Sequence, residues 1–206
     1  MNSLINDLIP HNKTGKPVDL EESITLPGKE DAIDAYKRAC KRLLNVNIWH
    51  KLSGFASADF LLKNEEGIAS HGLAEVGDYF QIDIPGPGPA SGDGYDWVKV
   101  EAIEKRSDPA SEEESMGMML RPSENPNKKG SDTSHFFTTE ATSTFIIHRK
   151  ENVVSVSYHG RNEVLNTATE KLTDKIRNSI IGMVAMLGIS ELQWNSLIKS
   201  FLEREV

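Results

Sequence analysis

The chain has 206 residues, 38% of them hydrophobic, with 31 acidic against 23 basic side chains and a formal net charge of -8. That length can bury a sizeable core as one domain, and the apolar fraction exceeds that of a disordered chain. The acidic balance repels nucleic-acid backbones and anionic membranes, so neither is an expected partner.

Residues 1–28 mix short apolar pairs with Pro10, Gly15, Pro17, Pro27 and Gly28. This predicts a loosely packed N-terminal arm, with one helical turn around Leu4 to Leu8, on a single domain spanning 1–206. The start lacks the basic leader and apolar core of a secretory signal, which makes the cytoplasm the expected location. From Ala32 to Leu44 a helix is predicted, because Ile33, Tyr36, Cys40 and Leu43 fall three and four apart on one face. Cys40, the single cysteine, has no partner for an internal disulfide and reads as a small core residue. Arg38, Lys41 and Arg42 form a small basic face that would solubilise the helix or dock an acidic partner. Asn45 to Gly54 then turns toward a sheet.

Strands are expected at Ala58 to Leu62 and Ile68 to Val76, joined through a turn at Gly67. Phe80, Ile82 and Ile84 alternate with polar residues as a half-buried strand does. The run PGPGPASGDG, Pro85 through Gly94, excludes regular structure and lacks the lysine and hydroxyl of a phosphate loop. Further strands are predicted at Asp96 to Glu104, around Met116 to Leu120, from Thr133 to about Lys150, and from Val153 to His159. A tight turn at Glu151-Asn152 makes the last pair antiparallel. A helix follows from Thr169 through Leu172, Ile176, Ile180, Met183 and Leu187 to a stop at Gly188. A second begins at Ser190 with Leu197, Ile198 and Phe201 as its apolar stripe.

The fold class expected from this order is α+β. Its antiparallel sheet would be strongly curved or barrel-like, with about six strands, one N-terminal helix and two C-terminal helices packed on it. The order resembles a helix-grip ligand-binding fold, in which a sheet curls around a long terminal helix. Such curvature would leave a cavity for a small, partly apolar ligand between sheet and C-terminal helices. Met116, Met118, Phe145, His148, Met183 and Met186 are its candidate walls.

Two strings offer catalytic groups. In Tyr158-His159-Gly160-Arg161-Asn162-Glu163, strand parity puts His159, Arg161 and Glu163 on one face, unless Asn162 turns the chain. His159 would serve as a general base and Arg161 as an anchor for an anionic group, in a hydrolase-like or lyase-like enzyme. The threonine-rich string adds Glu140 as an acid, since Thr138, Glu140, Thr142, Thr144, Ile146 and His148 share a parity. Surface ion pairs and an exposed threonine face account for the same residues without catalysis. The six histidines lack the spacing of a metal motif, so no metal or cofactor is expected. A third reading is a structural or protein-interaction module, with a homodimer as its partner form.

Overall fold

The computed structural model describes residues 3–53, 58–84, 90–128, 130–166 and 191–204. Its strands are β1 (Val18–Thr25), β2 (Asp59–Lys63), β3 (Tyr79–Asp83), β4 (Asp96–Asp108), β5 (Glu113–Pro122), β6 (Thr142–Lys150) and β7 (Val153–Arg161). All seven join one antiparallel sheet in the order β1-β7-β6-β5-β4-β3-β2. The expectation of a strongly curved or barrel-like sheet of about six strands is overturned. Among the described residues β1 pairs only with β7 and β2 only with β3, so the sheet is open with two edges.

Among the described residues two helices, rather than the expected one, lie near the N-terminus. Helix α1 (Lys29–Leu44) and the short α2 (Trp49–Ser53) both precede β2, and residues 191–202 form the C-terminal helix α3. The predicted helix from Thr169 to Gly188, with Met183 and Met186, lies outside the described residues, as does the cap at Ser190.

One face of the sheet carries the main core. Helix α1 buries Ala32, Ala35, Tyr36, Ala39, Cys40 and Leu43, a stripe narrower in volume than the predicted one because alanines form its centre. Acidic residues in its first turn and Lys41 and Arg42 in its last complement the helix dipole. Burial pushes the Cys40 thiol up to about 12, consistent with a packing role. Leu197, Ile198 and Phe201 of α3 are buried in the same cluster. Arg42 is not on a solvated basic face. It is buried, and its guanidinium donates to the carbonyls of Ser200, Phe201 and Glu203 at 2.9, 3.2 and 2.6 Å. These carbonyls end α3 and need external donors, which a cation supplies best.

The N-terminal segment is not a loose arm. Val18, Leu20 and Ile24 alternate with polar residues, and β1 pairs along its whole length with β7. Ahead of it, Ile5 and Leu8 pack with Ile146 into a second, smaller cluster on the opposite face of the sheet. Gly117 makes room for them, since a Cβ there would lie 2.7 Å from Leu8 and 2.8 Å from Ile5. The Leu4 amide donates to Ser115 Oγ at 3.1 Å, and Arg106 grips the Asp7 carboxylate through two nitrogens at 2.9 and 2.8 Å. Prolines and glycines around these residues concealed the pattern, and the pairing partner lies more than a hundred residues away.

Elsewhere, Ile68 to Val76 is no strand. It touches β2 through one bridge, Lys63 to Ala69, and leaves Ile68 and Val76 exposed. The turns at Gly67 and Glu151 do take positive φ, at 76° and 54°. Replacing Gly117 by alanine is expected to displace Ile5 and Leu8 at a cost of roughly 1–3 kcal/mol. Limited proteolysis should then cut within the first ten residues of the variant much faster than in the parent chain, and equal rates would refute the packing described.

Candidate functional site

A pocket of about 130 Å³ opens between β1, β7 and α3, lined by Lys16, Val18, Phe137, Tyr158, Glu163, Glu191 and Trp194. Strand β7 supplies its wall because alternation puts Val154, Val156 and Tyr158 on the core face. The Tyr158 and Trp194 rings lie nearly parallel, 16° apart with centroids 5.1 Å apart. Beneath them the Tyr158 hydroxyl donates to Glu163 Oε1 at 3.1 Å, with Ser143 Oγ also 3.1 Å from the phenol oxygen.

Glu163 reaches this position through Asn162, whose φ of 55° turns the chain at the end of β7. Asn162 is held there by accepting from the amides of Lys13 and Thr14 at 2.6 and 3.2 Å. Glu163 therefore leaves the face of His159 and Arg161. Two glycines clear its seat: a Cβ at Gly160 would lie 2.2 Å from Glu163 Oε1, and one at Gly15 would lie 2.8 Å from its carbonyl. Burial pushes the Glu163 carboxyl up from its usual value, against the Tyr158 hydrogen bond. The buried Tyr158 phenol is pushed up likewise. Both groups are thus held toward their neutral forms. At the rim, Lys16 and Glu191 form an exposed ion pair at 3.7 Å, a geometry that adds little stability.

Phe137 enters the pocket from a loop fixed by two buried polar side chains. Asp96 accepts from the Phe136 amide at 2.8 Å, and His135 Nδ1 accepts from the Phe137 amide at 2.9 Å. Backbone bonds from Thr138 to Val164 and from Asn166 to Phe136 tie the loop to the chain after β7. The predicted long strand from Thr133 therefore starts only at Thr142. Burial pushes Asp96 up to about 7 and His135 down to about 3. The two act oppositely on stability. The folded state retains the Asp96 proton, so this contribution is present below about pH 4 and is lost as pH rises to 7. The unfolded chain takes up the His135 proton first, so that penalty grows as pH falls below about 6.5. Asp96→Asn keeps the acceptor and removes the charge. Its melting temperature is expected to gain on the parent between pH 4 and pH 8, by an amount worth up to about 4 kcal/mol. A gap independent of pH would show that Asp96 is not buried in this way.

Of the predicted ligand walls, Met116, Met118, Phe145 and His148 do not line this pocket. Met116, Met118 and Phe145 are fully buried in the main cluster, closing the core rather than lining an opening. His148 lies on the opposite face of the sheet, where its Nδ1 meets Ser115 Oγ at 2.9 Å. Burial pushes its imidazole down from the usual value, Glu113 opposing. Met183 and Met186 lie outside the described residues. Thr142, Thr144, Ile146 and His148 do share a face, on which Ile146 is covered by Ile5 and Leu8.

Of the predicted catalytic set, His159 and Arg161 meet and Glu140 stands apart, exposed in a turn before β6. His159 and Arg161 lie on the outer face of β7, away from Tyr158. Their common partner is Asp19 on β1, with His159 Nδ1 2.5 Å and Arg161 NH2 2.6 Å from Asp19 Oδ1. Asp19 stands directly opposite His159 in the register. His159 Nε2 is 3.0 Å from Ser157 Oγ. Sequence reasoning missed Ser157 and Asp19. Ser157 is visible at period two from His159, whereas Asp19 needed the unrecognised strand β1. Among the described residues no group of three or more His, Cys, Asp or Glu side chains is placed to hold a metal ion, and no helix is long and apolar enough to cross a membrane.

No protein-family model matches the chain, and no curated protein is similar to it in sequence. Several solved structures are loosely similar. Norcoclaurine synthase from Thalictrum flavum, in complex with dopamine and hydroxybenzaldehyde, is 12% identical with a TM-score of 0.37, covering 100% of this chain and 95% of that one. Ara h 8.0201 is 12% identical at 0.32, covering 88% and 99%. A conserved protein from Geobacillus kaustophilus is 13% identical at 0.37, covering 89% and 95%. At such scores the likeness has no bearing on function.

Proposed function

We propose that the chain binds a small, partly apolar organic molecule between the sheet and α3, in the pocket walled by Tyr158 and Trp194. The observation that carries this reading is the stacked Tyr158–Trp194 pair with the Glu163 carboxyl seated beneath it. An apolar body with a few convergent polar groups is what a small-molecule site requires. Core packing alone would leave no reason for a carboxyl group there, seated against Gly160.

The pocket volume narrows the ligand. At about 130 Å³ it is far smaller than the roughly 300–1,000 Å³ of drug-sized sites. It is close to the roughly 150 Å³ cavity that accommodates benzene. One ring, or the ring-bearing end of a longer molecule, fits that space. The Tyr158 hydroxyl and Glu163 carboxyl offer hydrogen-bonding partners to a ligand hydroxyl or amide.

Benzyl alcohol is a suitable probe. Titration followed by amide and indole NMR shifts is expected to perturb Phe137, Tyr158, Glu163 and Trp194 together and to saturate. Trp194→Ala should weaken the affinity about tenfold or more, equivalent to about 1.4 kcal/mol, while Met116→Leu should leave it unchanged. Shifts scattered over the surface, or equal binding by Trp194→Ala, would remove the pocket as a ligand site.

A further inference from the structure

The outer face of β7 carries a second constellation, separate from the pocket and independent of the ligand it takes. Ser157 and His159 are two residues apart on one strand and share a face, and Asp19 sits across from His159 on the neighbouring strand. The atoms run in order: Ser157 Oγ to His159 Nε2 at 3.0 Å, then His159 Nδ1 to Asp19 Oδ1 at 2.5 Å. The polarity of this chain is set at its acidic end. Partial burial acts against ionisation of Asp19, but hydrogen bonds from Arg161 and His159 outweigh it and hold the carboxyl below its usual value. With Asp19 charged, His159 Nδ1 is the donor in their bond, and in the neutral imidazole Nε2 is then the acceptor for the Ser157 hydroxyl. Arg161 is itself fixed, donating to the carbonyls of Val18 and Gly160 at 3.0 and 2.8 Å. The site is reachable: Ser157 is half-buried, and the His159 side chain is 17% exposed.

We propose that Ser157 is an acyl-accepting nucleophile for activated esters, with His159 as its general base and Asp19 and Arg161 as positioning residues. Serine, base and orienting carboxylate define this chemistry by geometry rather than by sequence order. Ser157 Oγ attacks the ester carbonyl carbon while its proton passes to His159 Nε2. The tetrahedral intermediate collapses with cleavage of the bond to the aryl oxygen, and the leaving aryloxide takes up the proton from Nε2. Water, deprotonated by His159, then attacks the acyl-Ser157 carbonyl. The carboxylic acid leaves and the proton returns to Oγ. The net change is ester plus water to acid plus phenol.

The sheet also sets the limit of this activity. Strand β7 is paired on both sides, so its amides are engaged in the ladders and none is free to form an oxyanion hole beside Ser157. Absence of such donors costs roughly 10²–10³ in rate. Glu21, directly across from Ser157, adds negative charge on the same face. The substrates are therefore uncharged esters with good leaving groups, turned over slowly.

The test uses the full chain and p-nitrophenyl acetate. Release of p-nitrophenol is expected to begin with a burst close to one equivalent, and intact-mass analysis should show one added acetyl group that peptide mapping assigns to Ser157. Ser157→Ala should abolish the burst and lower the rate at least tenfold. Asp19→Asn, which presents a donor to Nδ1 and forces the wrong tautomer, should lose as much, and Asp19→Glu should restore part of it. A burst undiminished in Ser157→Ala, or acetyl found on lysines and not on Ser157 in the parent chain, would overturn the proposal. The mapping needs no variant, so a folding defect in one of them leaves the result decisive.

Discussion

The position of Trp49 decides much of the rest. Its ring is fully buried and meets Phe60 of β2, Phe80 of β3, Phe145 of β6 and Phe201 of α3, with centroids 5.4, 5.6, 5.3 and 5.9 Å away. Aromatic pairs in such edge-on or tilted arrangements contribute about 0.5–1.5 kcal/mol each beyond area burial. The indole Nε1 donates to the Arg42 carbonyl at 3.0 Å, which fixes the break between α1 and α2. Trp49 therefore locates α3 against the sheet, and α3 carries Trp194 to Tyr158. The pocket inherits its geometry from a residue that does not line it.

Strand β7 then divides two chemistries by parity. Its even-numbered Tyr158 and Gly160 face the core side, where burial holds titratable groups toward neutrality. Its odd-numbered Ser157, His159 and Arg161 face the other side, where Arg161 keeps Asp19 ionised. Asn162 ends the alternation and returns Glu163 to the core side. A single turn residue thereby separates a carboxyl that parity alone would have assigned to the histidine.

Legibility in the sequence followed the range of the interactions. The α1 stripe, the β6–β7 turn at Glu151 and the apolar residues of α3 are local patterns, and they were readable. Strand β1 was not, because Pro17 and Pro27 flank a run whose alternation Glu22 interrupts, and because its partner is distant in the chain. The same loss hid Asp19, and with it the reason His159 and Arg161 converge. The sequence suggests Met116, Met118 and Phe145 as cavity walls, whereas these side chains close the core. Methionine at period two signals burial, yet it does not distinguish a sealed interior from an opening. Gly160, a missing side chain beside the Glu163 carboxyl, carries the better signal, and it needs three dimensions to be read.

The bond from Arg42 to the end of α3 also bears on how the polypeptide matures. The guanidinium and its acceptors are separated by about 160 positions, and β1 pairs with the likewise distant β7. During synthesis the first helix emerges long before residues 200–203 exist, so these three bonds form only once nearly the whole sequence has been made. Desolvating the Arg42 guanidinium before they form would cost several kcal/mol. The seam between the first helix and the last turn of α3 is thereby among the last parts of the core that a growing polypeptide can close.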